Sequence, residues 1–315
     1  MTNQFAKDVY EGLNSNPKCL PSKYFYDTKG SEIFVEIMKL PEYYLTRSEF
    51  EIFEKQSQKI IEAFQIKQNE SIEIIELGAG DGYKTVELLK KMYSQFEFTY
   101  KPIDISKGAL LNLEKNIKSE LPDISMEPIQ GDFFETLHEL QANDTRKVVL
   151  FLGSTLGNMV DRVAKKFIES IAENLNKNDI LLLGLDLIKS KEIVVPAYND
   201  VKGITSSFNF NLLQRINNEL DANFNLEYFE HAPEYSEETG IAKSFLKSTR
   251  KQTVVFDTLD FEIDFEKNEK IFTEISRKYD DSILQMLVKD SGFEISEKIM
   301  DEKKYFADYI LKKEL

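Results

Sequence analysis

Basic charge, cysteine, histidine and long apolar runs are all scarce in this chain. Lysine and arginine number 40 against 55 aspartates and glutamates, which leaves a formal net charge of −15. A surface of that sign repels a phosphate backbone, so nucleic acid is not an expected partner. The single cysteine, Cys19, cannot close an internal disulfide, which suits a reducing cytoplasm. With only His138 and His231 beside it, little is left for a transition-metal site, and no metal is expected. Both histidines are expected to be ordinary residues rather than catalytic ones. The most apolar run, ILLLGLDLI at 180–188, is too short to span a bilayer, and the opening MTNQFAKD has no apolar leader stretch. Neither export nor a membrane partner is expected. Repeats and low-complexity tracts are absent too, and the eight prolines are scattered.

What is there is a well-patterned globular sequence. Its 315 residues suffice for one large domain or two modest ones, and hydrophobic and charged shares of 42% and 30% are those of a folded, water-soluble chain. From about 60 to 190, strand-like and helix-like segments alternate. SIEIIEL (71–77), FEFTYKPID (96–104), ISMEPIQGD (124–132), KVVLFLG (147–153) and DILLLGLD (179–186) read as strands. Helical spacing marks 85–93, 108–121, a segment near 135–141, and 162–175. Strands separated by helices of this length imply right-handed crossovers and a parallel sheet covered on both faces, a doubly wound α/β domain. The chain then ends with a helix over 276–293, closed by Gly292, and two strand-like runs, 293–301 and 304–313, that form a hairpin most economically. A parallel sheet finished by an antiparallel hairpin is the arrangement of class I methyltransferases. The expected division is therefore 56–190 with 277–315 as this Rossmann-like domain, and 1–55 with 191–276 as a second, lid-like domain.

The stretch IIELGAGDGYKT (74–85) is a strand, a glycine turn and a helix start. Its G-x-G-x-G spacing is one residue short of the dinucleotide fingerprint. Lys84 and Thr85 do not complete a phosphate-cradling loop, because Gly82 is not adjacent to the lysine. Nicotinamide dinucleotide and S-adenosylmethionine remain as ligands of the turn. Asp104, closing KPID at the end of the second strand, suits the ribose of either. GDFF (131–134) after the third strand tips the balance toward S-adenosylmethionine, with Asp132 at the adenine edge and an apolar neighbour on the ring. Lys84 is then either a solvated helix lysine or the partner of that cofactor's carboxylate.

Beyond the turn, YFYDTKGSEIF and LPEYYLTRSE (24–34 and 40–49), IELGAGDGYKT (75–85), FLGSTLGN (151–158), PAYNDVKGITSSFNFN (196–211) and FTEIS (272–276) resemble the L-histidine Nα-methyltransferases of ergothioneine biosynthesis. The resemblance covers nearly the whole chain. It implies three successive methyl transfers from S-adenosylmethionine to the α-amino nitrogen of histidine, giving hercynine. By the same resemblance Gly78, Lys84, Asp104, Asp132 and Phe133 hold the cofactor, Asn158 and Tyr198 take the substrate carboxylate, and Asn158 and Tyr43 lie near the amine. Glu274 and Ser276 take one imidazole nitrogen each, while Phe34 and Tyr26 wall the pocket. A carboxylate beside a hydroxyl matches a neutral imidazole, which has one donor and one acceptor nitrogen, and two residues two apart share a face if the segment is extended. If 272–276 instead leads into a helix, Glu274 is a capping residue.

One departure stands out: where the family's histidine enzymes show a methionine, the segment IAKSFLKS (241–248) places Ser244. Relatives of that family act on other amino acids, including prenylated tryptophan, so an indole amine is the alternative substrate. A non-catalytic binder of the cofactor and a nicotinamide oxidoreductase are the remaining alternatives. A monomeric, cytoplasmic enzyme acting on a small amino acid is the expectation.

Overall fold

The structure is a computed structural model that describes residues 3–137 and 145–314, apart from the side chain of Phe133. His138 and most of the helix expected near 135–141 lie outside the described residues. In chain order the elements begin with α1 (Gln4–Asn14), α2 (Thr28–Met38), α3 (Leu45–Ala63), β1 (Ile72–Leu77), α4 (Thr85–Tyr93), β2 (Phe98–Asp104), α5 (Lys107–Glu120), β3 (Ser125–Met126) and β4 (Ile129–Gln130). They continue with α6 (Phe133–Thr136), β5 (Arg146–Phe151), α7 (Asp161–Glu173), β6 (Ile180–Asp186), α8 (Lys191–Tyr198) and α9 (Ile204–Leu220). Last come β7 (Phe229–His231), β8 (Glu234–Ser236), β9 (Ile241–Ser248), β10 (Gln252–Phe256), β11 (Phe261–Phe265), β12 (Lys270–Arg277), α10 (Asp281–Val288), β13 (Phe293–Met300) and β14 (Phe306–Lys313).

Two compact units divide the chain, one built from Leu45–Ile188 with Arg277–Leu315, the other from the residues up to Tyr44 with Lys189–Ser276. The first holds a sheet in the order β13-β14-β6-β5-β1-β2-β3, with β4 also on β2. Its strands run parallel except β14, which is antiparallel to both β6 and β13. This is the doubly wound sheet with a terminal hairpin expected from the sequence. The unbroken apolar run of β6 has a simple cause, since successive side chains enter different cores. Ile180 and Leu182 join Ile72, Ile74, Val148 and Leu150 on the face covered by α3 and α4, whereas Leu181, Leu183 and Leu185 join Ile75, Val149 and Phe151 on the face covered by α7. Each such side chain contributes about 1.5–3 kcal/mol on burial.

Three expectations are corrected. The boundary at residue 56 would cut α3, yet the face of α3 carrying Ile52, Phe53, Ile60 and Ile61 packs into the core of the sheet unit, so the division falls at Leu45. The third strand is split into β3 and β4, which keep one register on β2 (Tyr100 opposite Met126, Ile103 opposite Ile129) with a gap at Glu127 and Pro128. The final helix is shorter than 276–293: Tyr279 bridges to Leu187 in extended form, Asp280 caps the helix by accepting from Ile283 N at 2.8 Å, and the helix ends at Val288. Gly292, at φ +83°, serves the turn into β13 instead of closing the helix.

The second unit has a sheet in the order β12-β9-β7, with β8 paired to β9, and a separate β10-β11 hairpin. Phe5, Val9, Leu13, Phe25, Leu212, Leu213, Ile216, Phe256 and Phe265 form its core. Helix α9 starts where the Asp200 carboxylate accepts from Ile204 N (3.0 Å) and Thr205 N (2.7 Å), a side-chain cap for two otherwise orphaned donors. Among the described residues no helix is long and apolar enough to cross a membrane.

Candidate functional site

In the sheet unit the site is built on the turn that follows β1. Gly78 and Gly80 take φ values of +71° and +59°, a left-handed conformation that costs a residue with a side chain roughly 1–2 kcal/mol. The turn is tied to the end of β2: Gly78 N donates to Ile103 O at 2.8 Å, and Gly80 N donates to Asp104 Oδ2 at 3.0 Å. Asp104 also accepts from Ser106 N at 2.8 Å, so its carboxylate is fixed beside the glycines. A Cβ built on Gly78 or Gly80 would meet nothing within 4 Å, which leaves the backbone open to close approach. An open turn with a carboxylate at its side fits the adenosyl and ribose parts of S-adenosylmethionine. The GDFF segment lies alongside, since Gly131 N donates to Asp104 O at 3.1 Å. Asp132 caps α6 by accepting from Phe134 N at 2.8 Å. Phe133 begins that helix, and its side chain lies outside the described residues.

Beneath the turn, around Lys84, is a set of buried acids that sequence reasoning did not single out. Glu76 accepts from Thr85 Oγ1 at 2.7 Å and from the Tyr100 hydroxyl, and burial pushes its carboxyl up to about 7. Lys84 is not a solvated lysine. Its ammonium pairs with Glu49 of α3, whose side chain is fully buried. Burial alone would lower the Lys84 ammonium, but the adjoining Glu49 holds it above its ordinary value. The same Glu49 carboxylate accepts from Gly153 N at 2.8 and 3.0 Å. Asp308 of β14, also fully buried, has neither oxygen hydrogen-bonded, and burial followed by Glu49 pushes its carboxyl well above the carboxylate range. One sequence signal could have found Glu49: it stands three and four residues before Ile52 and Phe53, on the apolar face of α3.

Asn158 closes a 3-10 turn, Thr155–Asn158, and is exposed. The turn is pinned at both ends. Ser154 Oγ accepts from Asp186 N at 3.0 Å, and a Cβ on Gly157 would lie 2.7 Å from Arg277 O. Asp186 itself pairs with Lys278 at 2.7 Å, both side chains fully buried, another pair that sequence reasoning missed.

In the second unit the structure joins two pairs of expected substrate residues and their neighbours. Tyr198, the last residue of α8, donates its hydroxyl to Ser276 Oγ at 2.7 Å. Glu274 and Ser276 both lie in β12 and so share a face, while the helix cap belongs to Asp280, so Glu274 is not a capping residue. Ser244, on β9 and almost fully buried, donates to Glu274 Oε2 at 3.5 Å. Phe34 stacks edge-on with Tyr26 (5.5 Å between centroids) and Tyr43 (6.2 Å), and Phe208 completes the group at 5.8 Å from Phe34. His231 is half-buried with both ring nitrogens shielded from solvent, and that burial pulls its imidazole down to about 4, so it is neutral at physiological pH.

Comparison with known proteins gives the family. The family model for histidine-specific, S-adenosylmethionine-dependent methyltransferases matches residues 5–313. Over 274 residues the chain is 38% identical to histidine N-alpha-methyltransferase of Mycolicibacterium smegmatis, covering 87% of this chain and 84% of that protein. The Mycobacterium tuberculosis enzyme of the same name is 36% identical with the same coverage. A 4-dimethylallyltryptophan N-methyltransferase of Claviceps purpurea is 28% identical over 92% of this chain and 89% of its own length. The chain belongs to the histidine-specific, S-adenosylmethionine-dependent methyltransferase family.

Proposed function

We propose that this enzyme methylates the α-amino nitrogen of L-histidine three times in succession, giving the trimethylbetaine hercynine. The observation that carries the reading is the acid and hydroxyl of Glu274 and Ser276 on one face of β12, in a chain 38% identical to a histidine N-alpha-methyltransferase. A carboxylate accepts from the imidazole N–H, and a serine hydroxyl donates to the other nitrogen. Asn158 takes the substrate carboxylate, and Tyr198, whose one hydroxyl proton goes to Ser276 Oγ, holds that serine toward the imidazole. Lys84, Gly78, Asp104, Asp132 and Phe133 hold the methyl donor, Lys84 through the donor's carboxylate and Asp104 through its ribose diol. Bound there, S-adenosylmethionine supplies an electrophilic methyl group on a sulfonium.

The chain's own residues then have one main task, to present a neutral amine in line. The α-amino group of a free amino acid is mostly protonated at neutral pH, so the site has to hold the neutral minority, and alignment at about 3 Å does the rest. Asn158 and Tyr43 orient the amine lone pair, and its proton leaves to solvent or through Tyr43. Phe34 and Tyr26 wall the pocket against water. The net charge of −15 and the single cysteine support a cytoplasmic enzyme acting on a free amino acid, without nucleic acid; we take it to act as a monomer. Mass spectrometry of histidine incubated with the enzyme and S-adenosylmethionine should show additions of one, two and three methyl groups. No addition to histidine, with methylation of an indole amino acid, would select the alternative that Ser244 favours through its small side chain beside Glu274.

A further inference from the structure

A single buried carboxylate meets two parts of the sheet unit that the proposed reaction uses separately. Glu49 Oε2 pairs with the Lys84 ammonium, and both Glu49 oxygens accept from Gly153 N, at 2.8 and 3.0 Å. Gly153, at φ +72°, opens the turn that ends at Asn158, and a Cβ on it would lie only 3.5 Å from Lys84 Nζ. The helix α3 delivers Glu49 across Gly184 of β6: a Cβ there would collide with Glu49 Oε1 and come within 3.0 Å of Asp308 Oδ1. The carboxylate therefore reaches Lys84 through a gap that only a glycine leaves open. Lys84 is attracted in addition to Glu76 and Asp308, which lie deeper in the unit. Without Glu49 the ammonium has two other acids to turn toward, both more deeply buried than it is.

We propose that Glu49 is the positioning residue for the donor's carboxylate: it holds the Lys84 ammonium at the edge of the glycine turn and locks the Gly153 amide, which begins the turn to Asn158, onto the same anchor. An ammonium has three donors, and one spent on Glu49 leaves others in a fixed direction for the carboxylate of the methyl donor. The role is electrostatic and geometric, and Glu49 touches neither substrate nor methyl group. It rests on the reading in which Lys84 takes the donor's carboxylate.

Equilibrium binding to the full-length chain tests this with two ligands, S-adenosylhomocysteine, which carries the amino-acid carboxylate, and 5′-methylthioadenosine, which lacks it. Glu49→Gln should weaken S-adenosylhomocysteine about tenfold or more and leave 5′-methylthioadenosine within about twofold. In a Lys84→Met background the Glu49→Gln change should cost nothing further for S-adenosylhomocysteine. Equal loss for both ligands would reduce Glu49 to a fold element and overturn the proposal. So would a Glu49→Gln loss that persists in full beside Lys84→Met, or no loss at all. If Lys84→Met itself leaves S-adenosylhomocysteine unaffected, the donor-carboxylate reading of Lys84 fails first and takes the proposal with it. Glu49→Asp keeps the charge one methylene short, and it carries the same two-ligand comparison should Glu49→Gln not fold. Its expected result is a smaller loss, again confined to S-adenosylhomocysteine.

Discussion

The Tyr198 hydroxyl donates to Ser276 Oγ at 2.7 Å, in a buried setting. An Oγ that accepts from a tyrosine presents its own O–H in a defined direction, which is what an imidazole acceptor nitrogen needs. Removing the tyrosine hydroxyl should misdirect Ser276 without touching the donor. Tyr198→Phe is expected to raise the KM for histidine about fivefold, given about 1 kcal/mol for the lost hydrogen bond to Ser276, with the KM for S-adenosylmethionine little changed. Steady-state kinetics with labelled donor measures both.

Specificity should rest on Glu274. Once a bound substrate covers this half-buried acid, leaving it without its imidazole partner is costly, so a site built this way rejects an indole strongly. Glu274→Ala is expected to lower kcat/KM for histidine about 100-fold while changing that for tryptophan far less. A ratio between the two amino acids that stays where it was would remove Glu274 from the imidazole.

The glycine turn offers a substitution with a directional result. Gly80→Ala puts a side chain on a φ of +59°, at a cost of about 1 kcal/mol, and places a methyl group in the open space above the turn. Donor affinity should fall about tenfold or more and the KM for histidine should hold. Calorimetry with S-adenosylhomocysteine reads the first and saturation kinetics the second.

Stability should fall as the pH rises through neutrality. Burial lifts Glu76 from an ordinary 4.5 to about 7, so the fold favours its protonated form; that contribution is complete below 4.5 and is lost as pH climbs through 7. The difference amounts to about 3 kcal/mol. Asp308, raised for the same reason, acts in the same direction. Urea denaturation of the wild type at pH 5 and pH 8.5 should show the drop, and Glu76→Gln should show a flatter dependence. A wild-type stability that is level across that interval would contradict a buried, proton-holding Glu76.

Much of the sheet unit was legible because its signals are local. The apolar runs of β1, β5 and β6, the glycine spacing at 78–82 and the hairpin at 293–313 each depend on neighbours in sequence. The groups that escaped notice depend on partners far along the chain. Glu49, Asp186 and Asp308 look like three of many acids in an acidic protein, and only folding shows that they are buried, two of them against Lys84 and Lys278. The boundary at α3 was misplaced for a related reason, since its apolar face says that it packs but not on which unit. Lys84 had been weighed as solvated or donor-bound, and its third partner, Glu49, arrives from an element that had been assigned to the other domain. Among the expected substrate residues, the resemblance supplied Tyr198 and Ser276, and the hydrogen bond between them could be seen only in the fold.

Gly184 illustrates how far such a long-range demand reaches. In β6 it sits among leucines, where glycine is a poor strand former and any apolar residue would extend the hydrophobic ladder. The vacancy it leaves is occupied by the side chain of Glu49. Even an alanine at 184 would evict that acid from its channel, and the damage would surface at Lys84, on a different strand's turn, rather than in the strand that was altered.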